Sequence, residues 1–297
     1  MQRPTLGGQA VIEGVLIRSP NYYSIAVRRQ DGTISLKREH VEARQGFAKL
    51  FFVRGIFALY DTLVIGFKAI IHSANEFAGE DEKLGKKEVF FTIAFAAVFS
   101  LILFVGLPFY LSSLVSKGGT FLFNMIDGIL RAAIFVVYIA LISLLPDVKT
   151  MFRYHGAEHM SIHAYEAGIG FGNIGRVPAR QMTVRAVRRF TTLHPRCGTS
   201  FLLFVLLLSI IVFSIVTSES WAVRLASRIL LLPVIAGLSY ELLKFSARHS
   251  GNILFRAIVL PGLMLQKITT SKPSDKQIEV AIAALKDTVK AENSKSK

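Results

Sequence analysis

The sequence predicts an α-helical integral membrane protein with about four transmembrane helices, additional interfacial helices and a small cytosolic N-terminal β-element. Three observations predict it. The 297 residues are 52% hydrophobic and only 19% charged, below the roughly 25% charge of ordinary globular chains. Mean hydropathy is +0.47, and the apolar residues gather in runs long enough to cross about 30 Å of hydrocarbon. The net charge is nevertheless +15. Its cations fall before the first run and between the second and third, so both termini and the central segment belong on the cytoplasmic side.

Residues 1–46 read as a β-rich cytosolic segment. Short apolar runs, Ala10-Val11-Ile12 and Val15-Leu16-Ile17, flank Glu13-Gly14, and two alternating runs flank Asp31-Gly32, a hairpin signal. Met1 to Ala10 has no apolar core, so no cleavable signal peptide is expected. Residues 47–88 read as an interfacial amphipathic helix and linker, because Lys49, Arg54, Asp61 and Lys68 interrupt the apolar positions.

Residues 89–146 form a transmembrane hairpin: Val89 to Val115, a turn at Lys117-Gly118-Gly119, and Thr120 to Leu145. Asp127 and Arg131, at i and i+4, neutralise each other near its outer end. Residues 147–198 are a cytosolic basic loop holding a histidine motif. Residues 199–245 form a second hairpin, Phe201 to Val216 and Ala222 to Phe245, in which Arg224 and Arg228 snorkel outward and Pro233 and Gly237 kink the helix. Residues 246–271 are short and broken by Pro261-Gly262, hence interfacial or re-entrant. The tail, 272–297, is a cytosolic amphipathic helix; Ser274 and Gln277 make a capping box, and Ile278, Ala281, Ile282, Leu285 and Val289 make one apolar stripe.

The chemistry concentrates in Tyr154-His155-Gly156-Ala157-Glu158-His159-Met160-Ser161-Ile162-His163-Ala164-Tyr165-Glu166. On a helix, His155, His159, His163, Glu158 and Glu166 share one face. His155 to His159 reads H-x-x-E-H, the inverzincin order, and imidazoles with carboxylates suit a divalent metal such as zinc. His155 and His159 supply two nitrogen donors, and Glu241, His163 or His194 a third. Glu158, about 60° from His155 around the helix, is then a general base acting on a water held by the metal. Cys197 and Glu13 are further candidates for the shared polar site. The single cysteine excludes an intrachain disulfide and fits a reducing compartment. The bland alternative is that these histidines are structural.

Arg176, Arg180, Arg185, Arg188, Arg189 and Arg196 crowd the rest of the central loop. They read either as a topogenic segment on anionic membrane lipids or as a docking surface for an anionic partner, such as RNA on a membrane-bound ribosome. Two function classes follow: a metal-dependent hydrolase reaching a lipid or membrane peptide, and a non-catalytic accessory protein docking on a ribosome, translocon or other membrane complex.

Several blocks together resemble the YqhQ family. They are Gly7-Gly8-Gln9-Ala10-Val11-Ile12-Glu13-Gly14-Val15, Arg153 to His159, His194-Pro195-Arg196-Cys197-Gly198-Thr199-Ser200, Ser239-Tyr240-Glu241, and Pro261 to Gln266 with Thr269-Thr270, followed by Glu279-Val280-Ala281. They occur in order over nearly the whole chain. The resemblance implies a bacterial membrane protein of unknown function, in a family often labelled as predicted metal-dependent enzymes.

Overall fold

The computed structural model describes residues 4–42, 44–79, 85–116, 120–171, 180–216, 218, 220–248 and 253–295. The expected turn at Lys117-Gly118-Gly119, and Arg176, lie outside them, as does the side chain of Arg180.

The N-terminal segment is an antiparallel meander of four strands, β1 (Gly7–Val11), β2 (Gly14–Arg18), β3 (Tyr22–Arg28) and β4 (Ile34–His40), in sequential order. The Asp31-Gly32 hairpin forms as its sequence requires. Gly32 takes φ 84°, a value only glycine adopts freely, and Asp31 Oδ1 accepts the Thr33 N–H at 2.8 Å. Unusually for a small meander, β2 and β3 are buried on both faces. Val15, Ile17 and Ala26 join one core with the helices that carry the histidines and the C-terminal stripe. Leu16, Ile25 and Val27 join another with Ala69 and Ile65 of α1 (Val53–Ala78). The Ile12 N–H also donates to Ser73 Oγ of α1 at 3.2 Å.

Among the described residues, three helices are long and apolar enough to cross a membrane. They are α1, with a mean hydropathy of 1.4; the run Lys86–Val115, at 2.6; and α4 (Thr120–Ile142), at 2.2. The second run comprises α2 (Lys86–Leu101), one π turn over Ile102–Gly106, and α3 (Leu107–Val115). Pro108 follows the π turn; it lacks an N–H, which is the usual cause of such a local rearrangement.

The expected spans differ in detail. α1 passes the length and hydropathy test although the sequence read it as interfacial, and its second half is committed to the sheet. The expected third span is α7 (Gly198–Ser214), whose 17 residues rise only about 25 Å. The expected fourth span is two helices, α8 (Trp221–Leu230) and α9 (Leu232–Arg248), bent by 43° beside Pro233. Residues 253–269 form a continuous helix, α10 (Ile253–Thr269), with Pro261 inside it.

Arg228 corrects another expectation. It does not snorkel: its side chain is fully buried, donates to Asn124 Oδ1 and lies 3.4 Å from Asp127 Oδ2. Arg131 Nη2 meets the same carboxylate oxygen at 2.9 Å. Rings of Phe109, Phe123 and Phe213 surround the Arg228 guanidinium, so cation–π contact replaces part of its lost hydration.

Residues 147–198 are not simply a loop. They begin with α5 (Pro146–Glu166), 21 residues long, and continue through a short parallel pair, β5 (Ile169–Gly170) and β6 (Arg180–Gln181), and the single turn α6 (Val184–Val187). The tail folds as expected into α11 (Asp275–Lys295), capped by Ser274 and Gln277.

Candidate metal centre

α5 starts with proline at its first turn, where the missing N–H costs nothing. It ends before Gly168, which takes φ 99°. Ten of its residues are buried, because the sheet and α11 cover one side while the segment 191–200 and the end of α10 cover the other. Gly156 permits the closest approach: a Cβ there would collide with the Ser271 carbonyl. Ser271 N–H in turn donates to the Phe152 carbonyl at 2.9 Å. Gly8 of β1 plays the same part on the other side, since a Cβ would stand 2.9 Å from Glu158 Oε1.

Hydrogen bonds fix the imidazole tautomers. His155 Nδ1 is 2.8 Å from the Thr269 carbonyl, and His159 Nδ1 bonds the Thr192 carbonyl. A carbonyl only accepts, so both Nδ1 atoms carry the proton and both Nε2 atoms present a lone pair. One nitrogen of each ring and Cys197 Sγ lie within 4.8 Å of one another; His155 Nε2 is 3.2 Å from the sulfur. Cys197 caps the N-terminus of α7, where its sulfur also accepts from Thr199 N at 3.5 Å and Thr199 Oγ1 at 3.3 Å. Two imidazole nitrogens and one cysteine sulfur form a donor set suited to zinc, with carbonyls orienting the imidazoles from behind.

A second group, His163, Glu166 and His194, adjoins the first. Ring centroids run 4.3 Å from His155 to His159, 5.5 Å on to His194 and 4.6 Å on to His163. His163 Nε2–H donates to the Leu193 carbonyl at 2.8 Å. His194 differs: its Nδ1 accepts the Arg196 N–H at 3.2 Å, which puts the proton of the neutral ring on Nε2. That Nε2 is buried without a hydrogen-bond partner, 3.6 Å from Glu166 Oε2. In this tautomer His194 presents an N–H, not a lone pair, at Nε2. Buried Gln266 holds its backbone, accepting from His194 N at 2.8 Å and donating to His194 O at 2.9 Å. Glu166 is taken up by an ion pair with Arg196.

Electrostatics favour neutral rings. Burial pulls the pKa values of His159, His163 and His194 down. Burial also pushes the Glu158 carboxyl up to about 7, against the opposing pull of His155 and His194. Its Oε2 is buried without a partner. A buried, unpartnered carboxyl oxygen of this kind calls for an explanation of its own.

Two expected participants are elsewhere. Glu241 receives Arg54 Nε and Nη2 at 2.6 Å each, and Phe52 N–H at 3.3 Å. That bidentate pair satisfies the carboxylate, so Glu241 is not a member of either histidine group. Glu13 sits in the β1–β2 turn at φ 48° and accepts from Tyr154 Oη at 3.0 Å, on the sheet side of α5. Of the cations expected on a docking face, Arg196 is turned inward onto Glu166 and Arg188 pairs with Asp275, whereas Arg185 and Arg189 are exposed. Sequence reasoning underweighted Cys197 and missed Gln266 and the two orienting carbonyls. The only available signal was that Gln266, Thr269 and Cys197 fall in the distinctive blocks.

The model of a family described as a protein of unknown function (DUF1385) matches residues 50–291. The uncharacterized protein YqhQ of Bacillus subtilis (strain 168) is 31% identical over 310 aligned positions, covering 97% of this chain and 93% of the relative. No solved structure matches. The match thus spans the sheet, the histidine helix and the apolar helices together, and the chain belongs to the YqhQ (DUF1385) family.

Proposed function

We propose that this is a multi-pass protein of the bacterial cytoplasmic membrane, with both termini and the histidine helix on the cytosolic side. His155, His159 and Cys197 hold a zinc-like divalent ion there, and the protein acts as a hydrolase on a lipid or membrane peptide. One observation carries the reading: two imidazole nitrogens and a sulfur within 4.8 Å, each imidazole locked by a carbonyl behind it. Three protein donors leave a coordination position open, the pattern of catalytic rather than structural zinc. When bound, such an ion supplies Lewis acidity. A cation nearby also favours the ionised form of Glu158, which then accepts a proton. His194, with its proton on Nε2 and Coulombic coupling to Glu158, is the partner that returns or relays it.

Elemental analysis of detergent-purified protein tests the ligand set. The wild type and Glu241→Gln are expected to hold about one equivalent of zinc-like metal, as a single three-donor site implies. His155→Ala, His159→Ala and Cys197→Ser are expected to lose it. Equal metal in all five proteins, or metal in none, removes the centre.

The accessory-protein reading draws on the exposed Arg185 and Arg189, which form no ion pair among the described residues. It predicts co-sedimentation with ribosomes that falls steeply as salt rises, and full complementation of a deletion strain by Glu158→Gln.

A further inference from the structure

A separate cavity of about 570 Å³ opens where α4 hands over to α5 and α10 ends. Four cations line it: Lys149 and Arg153 from the first turns of α5, and Lys267 and Lys272 from the end of α10 and the residues after it. No acidic residue lines it, and none of the four makes an ion pair among the described residues. Elsewhere the chain pairs its cations readily: Arg28, Arg29, Arg38, Arg44, Arg54, Arg188 and Arg196 all have carboxylate partners. Four unpaired like charges converging on one concavity repel one another, and an anion relieves that repulsion.

The remaining wall is apolar, from Leu144, Phe152 and Ile268. Leu144 and its neighbour Leu145 are 65% and 54% exposed at the end of α4. α4 itself is apolar enough to cross a membrane, so the cavity sits at the level where hydrocarbon meets water. Basic pockets between helices at that level suit phospholipid headgroups. Size points the same way, since a free phosphate ion would leave most of 570 Å³ empty, whereas a headgroup falls in the usual range of small-molecule sites.

We propose that this cavity binds the phosphate headgroup of an anionic phospholipid, with Lys149, Arg153, Lys267 and Lys272 as its cationic contacts. The inference rests on the membrane placement given above but not on the metal. The cavity shares no residue with the histidine groups, although the Ser271–Phe152 hydrogen bond joins the two at the α5–α10 junction.

Full-length protein in phosphatidylcholine nanodiscs, titrated with a fluorescent phosphatidylglycerol and with a fluorescent phosphatidylcholine, provides the test. Wild type is expected to prefer the anionic lipid. Two variants, Lys149→Gln/Arg153→Gln and Lys267→Gln/Lys272→Gln, are each expected to weaken that binding roughly 10- to 30-fold. Lys286→Gln/Lys290→Gln, removing two exposed cations of α11 outside the cavity, is expected to leave it unchanged. Failure of one pocket variant to fold leaves the other on a different helix. No preference for the anionic lipid in the wild type overturns the proposal whatever the variants do. An equal loss in the Lys286/Lys290 variant overturns it in favour of general surface charge. Displacement of the lipid by millimolar glycerol phosphate or inorganic phosphate would assign the cavity to a soluble phosphate. Membrane fractionation and metal content of the same variants separate failure here from failure of the membrane or metal readings.

Discussion

Glu158 is the residue on which the proposed chemistry turns. It stands one position before His159, is 3% exposed and keeps an unpartnered oxygen. Glu158→Gln preserves size and hydrogen-bonding atoms but cannot accept a proton. The variant is therefore expected to assemble normally and retain its metal while failing to restore function in a deletion strain. Full restoration would sink the hydrolytic reading and favour the accessory one. The histidine stripe and Glu158 were legible in the sequence because helical spacing alone puts His155, His159 and His163 on one face. The grouping of Cys197 with His155 and His159 was not. Glu241, His163 and His194 were the expected third donors, and Glu241 drops out of the histidine groups because Arg54, 187 residues away, takes its carboxylate. Spacing carries no information about such a pairing.

At the scale of elements, α11 is clamped to the sheet by polar contacts as well as by its apolar stripe. Arg28 pairs with Glu279 at 2.9 Å, Ser24 Oγ donates to Asp287 at 2.7 Å beside the Arg38–Asp287 pair, and Ser19 Oγ donates to Glu292 at 2.6 Å. The Arg38 hydrogen bond, with the Ser24 bond and the Arg38 charge, holds the Asp287 carboxyl below its usual value against the opposing effect of burial. A folded pKa below the unfolded one stabilises the fold above the unfolded pKa of about 3.9, and the contribution disappears as pH falls through the folded value. Because Arg38 is 42% exposed, solvent screening limits the effect to about 1 kcal/mol. Asp287→Asn is expected to lower the melting temperature at pH 7, and the difference from wild type should shrink as pH falls below about 3.9. A gap that persists undiminished there would mean the carboxylate charge is not what Asp287 contributes. This helix was legible, cap and stripe alike. α5 was legible only through its histidine stripe, because from Tyr154 to Tyr165 nearly every residue is buried, and a stretch covered on all sides lacks the one-sided apolar stripe by which helices announce themselves.

Over the whole molecule, the strongest departure from a soluble protein is the run Lys86–Val115, where Phe90, Phe91, Phe95, Val98 and Ile102 are each more than half exposed. So much contiguous apolar surface is not left to water, and the run is long enough for hydrocarbon. The sequence showed this run and α4 plainly, because periodicity is irrelevant to a helix apolar on all sides. It did not show Arg228 turning inward, since snorkelling and burial with Asp127 fit the same residues until α4, α7 and α8 are brought together. The proposed orientation rests on charge. Cations crowd the sheet and the segment after α5, and the connection between α7 and α8 carries none. A single cysteine at Ser218 therefore should react with a membrane-impermeant maleimide in intact cells. One at Lys276, exposed on the first turn of α11, should react only after permeabilisation. Native Cys197, 8% exposed, adds little background to either. The opposite pattern would invert the protein and carry the histidine groups to the outer face. Labelling of both sites only after permeabilisation would mean that α7 and the bent α8–α9 pair form a re-entrant hairpin, one that enters from the cytosol and returns to it.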